Sequence, residues 1–421
     1  LISPAADAET RHLRVAWFGH AVGSRADGLT TYSADVVGEL SKRGVEVWFH
    51  HSTQDGATTP VDEAHRRGWP TRRFKTVTVP RWGFRSRVSQ WLTEVRPDVV
   101  HVSLSFTLDD GWLGRKARFS RAAAVATFHL PFGRPGSGRA LAMRELHRFW
   151  APRLRAYQRV IVFSEDHRGR LAEVGVDLSR IEVLPNAVDT NFFRPGASPL
   201  RQERLGGANL VVGFAGRLDP EKGVRELLEG FLAAELGPSS RLLIAGRGVL
   251  EGRVRKAQRD PRVIYLGQLI TAQERLDFWR AVDVFCLPSS AEGLSIALLE
   301  AMATGCTVAA TPAGGASLVG GVAARLDPAS LSESVAALLA NLQERPEERE
   351  RQGQLAREEA VLHHGMSAMV DRLLAIYGDC RDRPPSDLRS AERDEPGGSR
   401  RAERDQGASG PRPPSGGVVG A

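Results

Sequence analysis

The stretch LPSSAEGLSIALLEAMATGCTVAATPAGG, residues 287–315, decides the fold. It opens at the end of an apolar run (284–287), crosses a short polar loop holding Glu292 and Gly293, and enters an apolar helix near Ser295. It leaves through a second strand-like run at 307–310. A strand, a covering helix and a second strand in this order make one crossover unit of a parallel sheet with both faces buried.

Working outward, the same rhythm recurs. Runs at 210–215, 241–245 and 263–266 precede the stretch. An earlier set lies at 13–18, 45–49, 99–104, 123–128, 160–163 and 181–184, separated from the later one by a connection around 189–207. This predicts two α/β domains, with ligands in the cleft between their sheets. From 331 to about 377 the pattern is helical only. The last helix carries Met369, Val370, Leu373, Leu374 and Tyr377 on one stripe and is expected to end at Gly378. Residues 379–421 hold almost no large apolar side chain, so burial there cannot offset the entropy of ordering, and they read as a disordered tail without assigned function.

A length of 421 residues with 42% hydrophobic content suffices for two cores. The three cysteines, Cys286, Cys306 and Cys380, show no metal-type pairing. Two lie in apolar strand-like runs, where a free thiol acts as a small hydrophobe, and a reducing, cytoplasmic compartment is expected. No apolar run approaches the roughly 20 residues of a membrane helix. The first ten residues lack a basic and apolar leader, so a protein neither secreted nor membrane-spanning is expected; Leu1 in place of Met is read as a trimmed or non-standard start. The net charge of +7 divides into +9 over residues 1–195 and −2 over the remainder. That asymmetry fits an anionic acceptor, an anionic membrane surface or nucleic acid, or else arginine used as the default surface residue. Nucleic acid ranks last, because no recognised module is present.

The loop and helix at 292–300 carry chemistry. Unpaired amides of Leu294, Ser295 and Ile296 at the positive end of a helix dipole attract phosphate, and Gly293 lets a ligand approach the backbone. Glu292 and Glu300 are placed to touch two ends of one extended ligand, a carboxylate being suited to paired sugar hydroxyls. The plainer alternative makes Glu300 a solvated helix residue and Glu292 a helix-entry acid. In LVVGFAGRLDPEKGVRELLEGF (210–231), a strand leads to Arg217, then Asp219 is a plausible N-cap, Pro220 the first helical residue, and Val224, Leu227, Leu228 and Phe231 form the inward stripe. Arg217 at a strand end and Lys222 in a first helical turn oppose the dipole, a conflict that an anionic diphosphate would resolve; surface charge is the alternative.

GRLDPEKG (216–223), AGRG (245–248), YLGQL (265–269) and EGLSIALLEAMATG (292–305), in that order, resemble the donor domain of the large retaining glycosyltransferase family 4, also called glycosyl transferases group 1 and typified by sucrose-phosphate and mannosyl transferases. The first half is similar through the strand and loop before Gly28, ATFHLPF around His129, and VLPNAVDTNFFRP from Val183, so the resemblance spans roughly residues 13–378. It implies the GT-B fold, two Rossmann-like parallel-sheet domains facing across a cleft. Residues 1–190 would form the acceptor-binding domain and 191–365 the nucleotide-sugar donor domain, with helix 366–378 returning to the first domain.

By that resemblance Arg217 and Lys222 bind the donor diphosphate, and Glu300 the ribose hydroxyls. Glu292, with the amides of Gly293, Leu294 and Ser295, holds the transferred sugar and phosphate. Gly28 approaches the diphosphate from the opposite domain, and His129, otherwise a structural histidine after a strand, faces the cleft beside the sugar. Two departures stand out: Asp27-Gly28 where members often have a glycine pair, and Asn186-Ala187-Val188-Asp189 where NGVD is usual.

For a retaining enzyme of this kind the acceptor attacks the face from which the diphosphate departs, so charge develops on phosphate oxygens near Arg217, Lys222 and the helix N-terminus. The departing phosphate can take the acceptor proton. No cofactor or metal is expected, since two fixed cations replace a divalent ion and no Asp-x-Asp pair adjoins these motifs. Acceptor choice is assigned to the first domain, where Arg81, Trp82, Phe84, Arg85, Arg87 and Trp91 form one basic and aromatic run and 144–159 a second. Either a soluble acceptor pocket or docking on anionic lipid at the inner membrane surface fits them. A UDP-sugar epimerase and a catalytically silent nucleotide-sugar binder are the rival classes.

Overall fold

The computed structural model describes residues 13–20, 28–52, 61–62, 65–69, 71–74, 77–80, 82–104, 109–129, 138–290 and 292–382. The readings made for the first ten residues, Asp27, Arg81 and the tail beyond 382 lie outside them.

The first sheet is built from β1 (Arg14–Gly19), β2 (Glu46–Ser52) and β3 (Arg66–Trp69), then, after the small antiparallel hairpin of β4 (Thr71–Phe74) and β5 (Val77–Pro80), from β6 (Val99–Leu104), β7 (Ala123–Phe128), β8 (Arg159–Val162) and β9 (Ile181–Val183). Its order is β3-β2-β1-β6-β7-β8-β9, with every pair parallel. The second sheet comprises β10 (Leu210–Ala215), β11 (Ser240–Ala245), β12 (Val263–Gly267), β13 (Val284–Leu287), β14 (Thr307–Ala310) and β15 (Ala324–Arg325). It is again parallel throughout, in the order β12-β11-β10-β13-β14-β15. The expectation of two parallel α/β sheets is met. Apart from the hairpin strands β4 and β5, the strands that apolar runs did not reveal, β3 and β15, are edges of the two parallel sheets, where one side stays unpaired and a continuous apolar run is not required.

Alternation across the strands sorts the core. Trp17 and Phe18 of β1 point to opposite faces, as successive strand residues must. Phe18 joins Trp91, Leu113 and Tyr157 on one face of the first sheet. Trp17 joins Tyr32, Phe49, Met369, Leu373 and Tyr377 on the other, so the helix Met366–Asp382 lies on the first sheet beside the helix Gly28–Lys42. The second domain has one continuous core around Phe214, Phe231, Phe278, Trp279 and Phe285. Among the described residues no helix is long and apolar enough to cross a membrane.

The C-terminal helix corrects one expectation: it passes through Gly378 to Asp382. Cys380 continues the buried stripe of Leu373 and Tyr377, and Gln158 Nε2 donates to the Cys380 carbonyl at 2.8 Å, so packing carries the helix past the glycine. The same helix is pinned by Tyr377, whose hydroxyl lies 2.7 Å from His101 Nδ1, while His101 Nε2 lies 2.8 Å from Thr127 Oγ1. Burial pushes the His101 imidazole down to about 3, so it stays neutral and both ring nitrogens serve as fixed hydrogen-bonding points.

The segment joining the domains pairs with the junction leading to that helix. Val188 N donates to the His364 carbonyl at 2.9 Å, and Met366 N donates to the Val188 carbonyl at 3.0 Å.

Candidate functional site

In both sheets the strand order reverses beside the first strand of the domain, between β1 and β6 and between β10 and β13. Crevices at the carboxyl ends of strands flanking such a reversal are where open α/β sheets bind ligands. Arg217 and Lys222 follow β10, and Glu292 follows β13, its neighbour in the sheet. Gly28 follows β1, and His129 follows β7, on the far side of β6.

The loops after β10 and β13 are closed against each other by backbone. Gly223 has φ +69°, and a Cβ there would stand 2.2 Å from the Pro288 carbonyl oxygen, so only glycine permits the approach. Ser290 N donates to the Glu221 carbonyl at 2.8 Å. This seam brings Lys222 Nζ onto Glu292 Oε1 as an ion pair with both side chains mostly buried.

It also revises the local reading of 219–224. Pro220–Lys222 is a single 3-10 turn, Gly223 breaks it, and the α-helix proper is Val224–Ala233. Lys222 is therefore not in the first turn of that helix, and its charge is met by Glu292 rather than opposed by a dipole. Asp219 sits at the N-cap position of the short turn without a side-chain cap bond; its carboxylate instead pairs with Arg217 and accepts from Val249 N at 3.3 Å. The helix stripe Val224, Leu227, Leu228 and Phe231 is buried as expected.

Arg217, half-exposed, also donates to Glu221 Oε1 at 2.6 Å. Partial burial works against its charge, but the hydrogen bond it donates to Glu221 and the carboxylates of Asp219, Glu221 and Glu292 outweigh it and raise its pKa. The guanidinium thus stands at the crevice as a permanent cation near the Lys222–Glu292 pair.

The helix after Glu292 is Ile296–Ala303, with Ser295 at its N-cap and no side-chain cap bond. Among the described residues no hydrogen bond is donated by the amides of Leu294, Ser295 or Ile296; the first turn closes with Leu299 N to the Ser295 carbonyl at 3.2 Å. Unpaired amides beside an ammonium and a guanidinium are donors of the kind that suits an anion. A Cβ on Gly293 would come 3.4 Å from His167 Cε1 of the first domain, so the turn lies against that domain.

Glu300 is not a solvated helix residue. It is 2% exposed, with Oε1 accepting from Arg275 Nε at 2.8 Å and Oε2 from Trp279 Nε1 at 2.8 Å. Arg275 and Trp279 lie four apart on the helix Ala272–Ala281 and share one face. Asp35, on Gly28–Lys42 in the first domain, is close enough for Arg275 to stabilise its charge, but burial dominates and pushes its pKa up to about 7.

His129 lies apart from these groups. Its ring packs edge-on to Tyr32 at 4.8 Å and against Phe163 at 5.1 Å, and among the described residues its buried Nε2 has no partner. Burial, and then His20 and His101, hold it well below the ordinary imidazole range, so it is neutral. Gly28 is exposed at the start of its helix, with no atom of the described residues within 4 Å of the position a Cβ would take. No group of three or more metal-ligating side chains occurs among the described residues.

The two runs are internal only in part. Trp91 and Trp150 are buried, Phe84 packs on Trp69 and Trp112, and Arg85 Nε donates to Asp109 at 2.7 Å. Outward lie Trp82, Arg85 and Arg87 of the first run and, in the second, Arg155 and one face of Gly138–Leu154 bearing Leu141, Arg144, Arg148 and Phe149. Sequence reasoning missed Arg275, Trp279 and Asp35 and gave Asn186 no role, although Asn186 Nδ2 donates to the Leu294 carbonyl at 2.6 Å. Only the NAVD segment had marked Asn186, and nothing local marked the others.

The chain is similar to known proteins in both halves. Residues 209–341 match the family described as glycosyl transferases group 1, and residues 26–192 match glycosyltransferase family 4. A GDP-mannose-dependent alpha-mannosyltransferase of Mycolicibacterium smegmatis is 29% identical over 323 residues, covering 72% of this chain and 80% of the relative. A D-inositol 3-phosphate glycosyltransferase of Acidothermus cellulolyticus is 35% identical over 157 residues, covering 34% of this chain and 35% of the relative. As there, the chain spans only about a third of the length of the first curated relatives it matches. Anabaena HepE in complex with UDP and glucose superposes with a TM-score of 0.71 at 17% identity, covering 87% of this chain and all of that one. Sucrose-phosphate synthase of Thermosynechococcus elongatus gives 0.70 at 20% identity, covering 87% and 99%. At such identities the likeness establishes the fold.

Proposed function

Because this chain belongs to the group 1, family 4 glycosyltransferases of GT-B fold, we propose that it transfers a sugar, with retention, from a nucleotide-diphosphate donor to an acceptor held by the first domain. The observation that carries this reading is the corner at the β10/β13 reversal. There Lys222, paired to Glu292, and Arg217 adjoin the unpaired amides that begin Ile296–Ala303. Relatives named for GDP-mannose and a like-folded structure holding UDP make UDP- and GDP-sugars the donors to test first.

In this reading the bond between the sugar's anomeric carbon and the diphosphate oxygen breaks while the acceptor oxygen bonds to that carbon on the same face. Negative charge grows on the departing phosphate, where Arg217, Lys222 and the amides of Gly293 to Ser295 stabilise it in a partly dry crevice. The acceptor proton passes to that phosphate oxygen, so no separate base is required. Neutral His129 offers the sugar a hydrogen bond without adding charge. Glu300, held by Arg275 and Trp279, retains lone pairs for ribose hydroxyls. Transfer is metal-independent in this account, and undiminished turnover in EDTA is the expected result.

The outward face of Gly138–Leu154, with Leu141, Phe149, Arg144 and Arg148, supports a cytoplasmic protein that touches anionic membrane. Vesicle co-sedimentation with and without anionic lipid tests that contact. The deciding experiment for the function is a thermal-shift panel of UDP, GDP, ADP and their sugars on the wild type and Lys222→Ala, since a ligand of the native state raises its melting temperature. One nucleotide stabilising only the wild type supports the reading, and no response to any of them refutes it.

A further inference from the structure

Asn186 sits two residues before Val188, on the segment that crosses between the domains and pairs with the second crossing at Gly365. From there its Nδ2 reaches the Leu294 carbonyl, at 2.6 Å, in the anion-binding turn. The orientation of the amide is forced, because exchanging its oxygen and nitrogen would set two acceptors against each other. Among the described residues its Oδ1 is buried without a partner, and the bond to Leu294 is the one hydrogen bond this side chain makes.

The consequence follows from peptide geometry. In a trans peptide the C=O and the following N–H point in opposite directions. Drawing the Leu294 carbonyl toward the crossing segment therefore aims the Ser295 N–H away from it. The same bond keeps that carbonyl out of the helix, whose first closed turn starts one residue later, at the Ser295 carbonyl.

We propose that Asn186 is a positioning residue for the donor diphosphate: it orients the Ser295 amide and makes the shape of the anion-binding turn depend on the crossing between the domains. This rests on the donor-site reading above. It adds that a change in the relative setting of the domains acts on the phosphate corner through this one carboxamide.

The test uses the full chain with Asn186→Asp, isosteric but unable to donate, and Asn186→Ala. Two quantities are read: amide hydrogen exchange over residues 287–299 without nucleotide, and affinity for UDP and GDP. Loss of one hydrogen bond to a buried carbonyl predicts exchange in that segment about tenfold faster in both variants, with the remainder unchanged, and nucleotide affinity down about tenfold. Unchanged exchange in 287–299 in either folded variant overturns the proposal, as does unchanged affinity in both. A variant that unfolds is recognised by exchange rising everywhere, and the other then decides. Failure of the wild type to bind either nucleotide would sink the donor reading, while the exchange result would still report whether Asn186 orders the turn.

Discussion

Arg275 Nε lies 2.8 Å from Glu300 Oε1 in a site where the carboxylate is 2% exposed. The acid that the resemblance gives to the ribose is thus held by a buried cation before any ligand arrives. Removing one partner of such a pair leaves the other charge buried and unmatched, which costs about 3–5 kcal/mol. Arg275→Ala should lose stability in that range by urea unfolding, and a loss under 1 kcal/mol would contradict the burial argument. Glu300→Gln, which keeps the shape, should lose less stability and weaken nucleotide binding.

Lys222 and Glu292 are separable by ligand. Lys222→Ala removes the cation assigned to the diphosphate and should abolish stabilisation by both the free nucleotide and the nucleotide-sugar. Glu292→Gln should keep the response to UDP or GDP and lose the extra response to the attached sugar. Equal losses for both ligands in Glu292→Gln would move Glu292 from the sugar to the maintenance of Lys222.

Asp35 gives the protein a signed pH dependence. Burial, only partly offset by Arg275, pushes its folded-state pKa up to about 7, whereas an unfolded aspartate titrates near 3.9. The folded state holds the extra proton between those values. The stability this provides is therefore complete below about pH 4 and lost as pH rises through 7, amounting to on the order of 4 kcal/mol. Buried neutral histidines such as His101 and His129 act oppositely, lowering stability as pH falls below about 6.5. Asp35→Asn should raise the unfolding free energy at pH 8 and remove the part of the decline between about pH 4 and 7 that this group causes; parallel curves for the two proteins would refute the assignment.

Two glycines should behave differently. Gly223→Ala must escape both φ +69° and a 2.2 Å approach to the Pro288 carbonyl, so a loss of about 2 kcal/mol or more is expected, with the Lys222–Glu292 pair disturbed. Gly28→Ala meets no atom of the described residues within 4 Å and should leave the melting temperature unchanged. Lost transfer activity in a fully stable Gly28→Ala protein would then report crowding of the donor.

Much of this was legible in the chain because it depends on local pattern. The buried runs of β6, β7, β10, β13 and β14 end where the apolar residues end. The Glu292–Gly293 loop before an apolar helix announces a helix start whose first amides are left without partners among the described residues. What misled was equally local: Asp219-Pro220 reads as a helix start, and nothing nearby in sequence says that Pro288 will lie against Gly223 and convert it to one 3-10 turn.

The two parallel sheets, their alternation with helices and the charged residues at the strand ends follow from local pattern, since burial periodicity and helix-terminus chemistry act over a few residues. Which side chains meet is a matter of the folded arrangement. Lys222 reaches Glu292 across 70 residues, Arg275 reaches Glu300 across 25, and Asn186 reaches Leu294 across 108. Pairings of that span are set by strand order, which brings β10 beside β13 and folds the crossing segment against the second domain, and no short-range pattern encodes it.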